Sequence, residues 1–201
     1  MLWIGNVRGR YDLMKKSVQY ARKQNLQPAI CGDLILQGRN PVECISLALQ
    51  CANGNIVIGH DTMTLFHAMS GSKDAWVHLK KSGGIQLMKA ISPFESMVQD
   101  LFDASSLFYR DLHNQYIVVP ISLPRDFHKD ADLRCHRSAF FTHGQTAEEQ
   151  INTLLSSGLK SVVFSGCEGK SNKNDGVFYL NSGKKTLAAY QTNNADVRLF
   201  R

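Results

Sequence analysis

Two glycine-bounded turns near the amino terminus constrain this chain more than any other feature. They are residues 5–9 and 32–38, and each directly follows a short apolar run and precedes a stretch with the pattern of a helix. When parallel strands end in glycine turns that lead into helices, the loops at the carboxyl ends of the strands converge and form sites. The sequence therefore predicts a functional site at these two turns.

Alternating strands and helices are predicted over the first part of the chain. Residues 2–4, 27–31 and 55–58 are short apolar runs typical of buried strands, whereas residues 11–24 and 41–51 show helical periodicity. Pro41 suits the first turn of a helix, and Asn40 suits the position that caps it. Short connections between such units favour parallel strands with right-handed crossovers.

The middle of the chain has a different pattern, and we expect a helical insertion at residues 71–112 over one edge of the sheet. Helices are predicted at 62–69 and 75–79, then from a capping box of Ser92 and Glu95 to about residue 102, and again at 105–112. The second half returns to strands at 115–119 and 161–164, with a helix predicted at 146–156. Residues 177–180, 186–190 and 197–200 are expected to form a meander.

The composition is that of an ordinary globular protein. The 201 residues are 43% hydrophobic and 20% charged, which is enough for one domain with a substantial core. The five cysteines lack the paired spacing of a zinc site, and their odd number favours reduced thiols in the cytoplasm. The formal charge of +6 comes without a nucleic-acid-binding motif, so we expect a basic surface, with no membrane partner and with nucleic acid disfavoured as a partner.

The glycine turns resemble motifs of the calcineurin-like metallophosphoesterases, especially the small bacterial and phage serine/threonine protein phosphatases. That family has Gly-Asp-x-His-Gly after its first strand, Gly-Asp-x-x-Asp-Arg-Gly after its second and Gly-Asn-His-Glu or Gly-Asn-His-Asp after its third. This chain has Gly-Asn-Val-Arg-Gly at 5–9, Gly-Asp-Leu-Ile-Leu-Gln-Gly at 32–38 and Gly-His-Asp at 59–61. The resemblance extends over nearly the whole chain. It implies a single α/β domain, residues 1–201, built as a sandwich of mixed β-sheets flanked by helices.

The resemblance also implies that most metal ligands are replaced. In the family, carboxylates, histidines and an asparagine hold two metal ions, which activate a water for attack on a phosphate ester. The equivalent positions here are Asn6 and Arg8 in the first motif, Gly59 in the third, and Pro120 and Gly166 in place of two later histidines. Asp33 is the metal ligand that survives. We therefore expect no metal and no other cofactor.

Arg8 suggests what replaces the metal. Arginine is a fixed cation, which repels a metal ion but can neutralise a carboxylate. We therefore expect the Arg8 guanidinium to pair with Asp33, and such a buried pair would hold loops together more than it would catalyse. His60 is equivalent to the family's general acid, but the aspartate that supports it is Leu36 here. Asp33 and His60 are thus interpreted as vestigial.

These replacements predict a catalytically inactive phosphatase homologue that serves as a regulatory or assembly module for a protein partner. The predicted ligand-binding residues around the former active-site cleft are Asn6, Arg8, Arg10, Arg39 and His60. Two alternatives stay open. One is a sensor of a phosphorylated or anionic ligand that uses Arg8. The other is an active phosphoesterase with an atypical metal site formed by Asn6, Asp33, His60 and a histidine such as His143.

Overall fold

The computed structural model describes residues 1–35, 39–81, 84–111, 113–119, 161–164, 173–174, 177–180 and 186–201. The helices are α1 (Tyr11–Lys23), α2 (Pro41–Cys51), α3 (His60–Met69), α4 (Lys73–Lys81), α5 (Ile85–Ile91) and α6 (Glu95–Asp103), with a 3-10 turn at Ser92–Phe94. The strands are β1 (Leu2–Gly5), β2 (Pro28–Gly32), β3 (Ile56–Ile58), β4 (Ser105–Ser106), β5 (Tyr109–Asp111), β6 (Tyr116–Val119), β7 (Ser161–Phe164), β8 (Lys173–Asn174), β9 (Val177–Tyr179), β10 (Leu187–Gln191) and β11 (Asp196–Phe200).

The strands form two sheets. The first has the order β11-β10-β1-β2-β3-β4 and the second has the order β5-β6-β7-β9-β8. Strands β1, β2 and β3 are parallel neighbours, which confirms the predicted β-α-β-α-β arrangement. Strand β10 is antiparallel to both β1 and β11, so the first sheet is mixed. The predicted fold class, mixed sheets flanked by helices, is confirmed.

Strands β1, β2 and β3 of the first sheet are buried on both faces, and alternation along β1 assigns its side chains to two cores. Leu2 and Ile4 belong to the core that includes the helix residues, whereas Trp3 packs with Val118 and Phe178 of the second sheet. Side chains alternate between the faces of a strand, so a strand buried on both faces contains only apolar residues. This explains why β1, β2 and β3 are continuous apolar runs in the sequence.

Two predictions for the second half of the fold, a helix at 105–112 and a final three-stranded meander, are wrong. Residues 105–112 were expected to be helical, but the chain forms β4 and β5 there, because each pairs with an open sheet edge. Ser105 lies opposite Ile56 of β3, and Tyr109 lies opposite Val118 of β6. The last three strands also do not form one meander, because β9 pairs in parallel with β7 of the second sheet, while β10 fills the free edge of β1.

Of the two predicted helix starts, the one at α2 is confirmed in position, with Pro41 in its first turn, and the one at Ser92 is wrong. Asn40 precedes α2 but makes no side-chain capping hydrogen bond. The chain from Ser92 first forms a 3-10 turn, and α6 then begins at Glu95 without a side-chain cap. Pro93 is accommodated in that turn, so the capping box predicted from Ser92 to Glu95 does not form.

Within the predicted insertion at 71–112, α4, α5 and α6 are helical, and the last described residues form β4 and β5. The helix predicted at 146–156 lies outside the described residues. None of the helices in the described ranges has the length and apolar character needed to cross a bilayer.

The buried cysteines of β2 and α2 should react slowly in the folded protein. Cys31, Cys44 and Cys51 are buried, and burial raises the pKa of Cys44 to about 12 and that of Cys51 to about 11. Because the thiolate is the reactive form, we expect iodoacetamide at pH 8 to label Cys44 and Cys51 only after denaturation. Peptide mass spectrometry measures this, and rapid labelling of Cys44 in the native protein would contradict the described packing.

Candidate functional site

The loop after β1 has an unusual backbone. Asn6, Arg8 and Gly9 have φ angles of 46°, 53° and 68°, so two residues with side chains lie in the left-handed region. Such conformations cost about 1–3 kcal/mol each and concentrate at functional sites. Backbone hydrogen bonds hold this loop: Arg8 N donates to Asp33 O at 2.9 Å, and Gly9 N donates to Leu34 O at 2.8 Å. The two turns singled out in the sequence therefore lie against each other.

Asn6 joins these two loops. Its side chain is buried, and its Oδ1 accepts a hydrogen bond from Asp33 N at 2.9 Å. Its own backbone N donates to Cys31 O at 2.9 Å. The amide oxygen of Asn6 therefore fixes the backbone that carries Asp33.

Asp33 links the second loop to α3. It is 2% exposed, and its Oδ1 accepts a hydrogen bond from Asp61 N, 3.0 Å away in the first turn of the helix. Gly59, at the N-cap of α3, has no side chain that could accept a hydrogen bond from the first turn of the helix. Asp33 therefore caps α3 from a neighbouring loop and satisfies a helix N–H that would otherwise lack an intrahelical acceptor.

Gly59 is required by this arrangement. A Cβ at that position would lie 2.8 Å from both Asp33 N and Gly32 C, and it would collide with Asp33 Oδ1. The resemblance places the family's metal-binding asparagine at Gly59. Here the carboxylate of Asp33 occupies the adjacent space, so an asparagine cannot be accommodated without moving the second loop.

Arg8 lies between two carboxylates. Its Nη2 is 3.9 Å from Asp33 Oδ2 and 4.0 Å from Asp61 Oδ2, and the side chains of Arg8, Asp33 and Asp61 are 18%, 2% and 21% exposed. The predicted pairing of Arg8 with Asp33 is confirmed. Asp61 was not predicted as a second partner of Arg8, although its place directly after the third strand was a usable signal. We call Asn6, Arg8, Asp33, Gly59 and Asp61 the strand-end site.

Arg10 donates three hydrogen bonds to backbone carbonyl groups. Its Nε donates to Val7 O at 2.9 Å, its Nη1 to Thr186 O at 2.6 Å and its Nη2 to Asn6 O at 2.5 Å. Burial, followed by the nearby charge of Arg8, lowers the pKa of Arg10. Arg10 thus ties the first loop to the residue before β10, and its ligand-binding role stays a prediction.

The structure gives less detail for the other predicted site residues, which are Arg39, His60 and His143. Arg39 is exposed, and the next residue, Asn40, donates from its backbone N to Gly9 O at 3.3 Å, which puts this segment beside the first loop. His60 begins α3, but its side chain is not described. His143 lies outside the described residues. The ligand-binding roles of Arg39 and His60 stay predictions.

The oxygen atoms of the strand-end site are not arranged to bind a divalent metal ion. The side-chain oxygens of Asn6 and Asp33 already accept backbone N–H groups, and the Arg8 guanidinium faces the second oxygen of Asp33. A divalent ion needs several anionic or imidazole ligands, and a fixed cation repels it. Within the described ranges, no cluster of three or more histidine, cysteine, aspartate or glutamate side chains could hold a metal ion.

The comparison with known proteins identifies the fold. No protein-family model matches the sequence, and no curated protein sequence matches it. A solved metallophosphoesterase from Sphaerobacter thermophilus is 12% identical, with a TM-score of 0.56, and the match covers 100% of this chain and 88% of that one. The chain has the metallophosphoesterase fold. The fold resemblance inferred from the glycine turns is therefore confirmed.

Two further solved structures with the metallophosphoesterase fold are informative. A cold-active protein-tyrosine phosphatase of a psychrophilic Shewanella species is 10% identical, with a TM-score of 0.57 and coverage of 100% of this chain and 80% of that one. A proposed diadenosine tetraphosphatase is 16% identical, with a TM-score of 0.58 and coverage of 98% and 91%. At these identities the likeness establishes the fold.

The prediction that the chain is not an enzyme is corrected by these neighbours. The names of the three structures that share the metallophosphoesterase fold state phosphatase or phosphoesterase activity. The prediction of inactivity was drawn from the loss of family metal ligands. The strand-end site contains the charged side chains of Arg8, Asp33 and Asp61.

Proposed function

We propose that this protein is a phosphoesterase that binds and hydrolyses phosphate esters at the strand-end site, with Arg8 as the residue that binds the phosphoryl group. One observation carries the proposal: the Arg8 guanidinium lies within 4.0 Å of both Asp33 and Asp61, where β1, β2 and β3 end. The left-handed backbone at Arg8 supports it, because such strain concentrates at functional sites.

Arginine suits this role chemically. The planar guanidinium offers several N–H donors that match phosphoryl oxygens, and it stays charged at all working pH values. A fixed positive charge at the phosphoryl group stabilises the charge that spreads over its oxygens in the transition state. Because Asp33 and Asp61 flank Arg8, its guanidinium is already positioned and does not need to be ordered by the substrate.

The two carboxylates differ in their access to water. Asp33 is 2% exposed and caps α3, whereas the Asp61 side chain is 21% exposed. We assign Asp61 the task of orienting the attacking water, because it is the more accessible carboxylate beside Arg8. The positive end of α3 starts next to it and adds to the attraction for a phosphate.

The test is a hydrolysis assay with an aryl phosphate, a phosphotyrosyl peptide and diadenosine tetraphosphate, the last two chosen from what the neighbours' names state. We expect the purified protein to release phosphate or nucleotide from at least one of them, and Asp61→Asn to slow that release by roughly 100-fold. Asp12→Asn, which changes an exposed acid in α1, is the control and should match the wild type. Absence of hydrolysis for all three substrates, at protein concentrations well above those used for phosphatases, would contradict the proposal.

A sensor of phosphorylated ligands is the second candidate, and one observation favours it. Arg8 faces both the carboxylate that caps α3 and a carboxylate within α3. A phosphoryl group that draws Arg8 away would change the charge at the start of this helix. Hydrogen exchange of the α3 amides should then respond to a phosphate ester that is bound but not hydrolysed.

A further inference from the structure

Helix α4 presents an unusual combination of side chains to solvent. Trp76 and Val77 are 41% and 50% exposed, although such large apolar residues are normally covered. Lys73, Lys80 and Lys81 are exposed on the same helix, three to five residues from Trp76. Residues three and four apart are neighbours on a helix surface, so lysines flank the apolar pair. We call these five residues the α4 face.

A groove that contains an acidic residue lies between α3 and α6 and is suited to bind the α4 face. Its volume is about 260 Å³, and it is lined by Phe66, Met69, Ser70, Glu95, Val98, Gln99 and Phe102. The lining combines aromatic and aliphatic side chains with Glu95, Gln99 and Ser70. We call these seven residues the α6 groove.

The surface around the α6 groove is acidic. The charged residues of α6 are Glu95, Asp100 and Asp103, all three of them exposed, and the helix contains no basic residue. Phe94, directly before the helix, is 43% exposed and adds a second apolar anchor. The chain therefore carries an apolar surface flanked by lysines and a groove whose lining combines polar and apolar groups and includes the Glu95 carboxylate.

We propose that these two surfaces bind each other between two copies of this chain, with Trp76 of one copy inserted into the α6 groove of the other. The groove is slightly smaller than a typical pocket for a small-molecule ligand, and a single large side chain is a suitable occupant. Buried tryptophans surrounded by polar residues are common anchors of protein interfaces. The lysines of the α4 face then lie opposite Glu95, which lines the groove, and Asp103, one turn beyond Gln99 on the same helix.

The chain connectivity favours a closed pair. Met69 and Ser70 line the groove at the end of α3, and α4 begins at Lys73, so the two surfaces adjoin on one copy. Adjoining complementary surfaces can be exchanged reciprocally about a two-fold axis, which satisfies both surfaces of both copies. This arrangement uses none of the residues of the strand-end site, so it can fail or succeed independently of the proposed phosphoesterase function.

Size-exclusion chromatography with light scattering tests the pairing. We expect a dimer at low salt and dissociation towards about 1 M sodium chloride, where the Debye length falls to about 3 Å. Trp76→Ala should yield a monomer. The matched control is Leu199→Ala, which truncates a side chain of β11 that is 48% exposed, and it should remain dimeric. A wild-type protein that is monomeric at all concentrations, or a Trp76→Ala variant that stays dimeric, overturns the proposal.

Charge reversal identifies the two faces directly. One variant combines Lys80→Glu with Lys81→Glu, and the other combines Glu95→Lys with Asp103→Lys. Each should be monomeric alone, because its two surfaces then carry like charges, and an equimolar mixture should form heterodimers. Circular dichroism checks that both variants are folded. Folded variants that remain dimeric alone, or that fail to associate when mixed, overturn the assignment of these faces.

Discussion

Replacing Gly59 with alanine is expected to lower the free energy of unfolding by about 3 kcal/mol. The φ angle of Gly59 is −85°, which any residue can adopt, so the cost comes from contacts and not from the backbone conformation. The added Cβ would lie 2.8 Å from Asp33 N and from Gly32 C, and backbone atoms in a hydrogen-bonded loop cannot move aside cheaply. Urea denaturation monitored by circular dichroism measures the change.

Gly71→Ala is the control for this substitution. Gly71 has a φ angle of 91°, but no atom lies within 4 Å of the added Cβ, so alanine there costs only the left-handed backbone, about 1–2 kcal/mol. Gly59→Ala should therefore be the more destabilising of the two. If Gly59→Ala unfolds at the wild-type urea midpoint, or is no more destabilising than Gly71→Ala, the close packing of Asp33 against Gly59 is refuted.

Asp33→Ala should be similarly destabilising, by about 3 kcal/mol, for a different reason. The change removes the acceptor of the Asp61 N–H and leaves the Arg8 guanidinium without its most buried carboxylate. For a protein of this length, we expect the melting temperature to fall by roughly 6–12 °C. Differential scanning calorimetry measures this change, and hydrogen exchange should show the first turn of α3 opening more readily.

Asp33→Asn separates the contribution of the hydrogen bond to Asp61 N from that of the charge interaction with Arg8. The asparagine keeps an oxygen that can accept the Asp61 N–H but carries no charge for Arg8, so we expect about half the loss of the alanine variant. If the asparagine and alanine variants have the same melting temperature, the hydrogen bond from Asp61 N to residue 33 contributes nothing to stability. If neither melts below the wild type, Asp33 does not link the loops as described.

The central part of the fold could be predicted because its signals are local. Strands β1, β2 and β3 are covered on both faces, so they are continuous apolar runs, and short connections through helices make them parallel. The pairing of β4, β5 and β9 could not be predicted in this way. Ser105 and Tyr109 form strands because the edges of β3 and β6 are available for pairing. The local sequence of residues 105–112 contains no signal of these distant strand edges.

The strand-end site was predicted in part. Asn6, Arg8 and Asp33 were expected there because they follow parallel strands, and the charges of Arg8 and Asp33 predicted their pairing. The roles of Arg10 and Gly59 depend on the three-dimensional arrangement, because Arg10 binds carbonyls of residues 6, 7 and 186 and Gly59 makes room for a side chain of another loop. The inference of inactivity failed because a list of lost ligands does not describe the chemistry of the residues that replace them.

The central claim is that Arg8 provides the charge that a metal provides elsewhere, and one measurement tests it most directly. Hydrolysis of an aryl phosphate is followed for the wild type, Arg8→Lys and Arg8→Met, each with Mn²⁺ and with excess chelator. We predict that wild-type hydrolysis persists in chelator, falls by roughly 100-fold or more in Arg8→Met and falls less in Arg8→Lys. Hydrolysis that requires Mn²⁺ and is unchanged in Arg8→Met would contradict the claim.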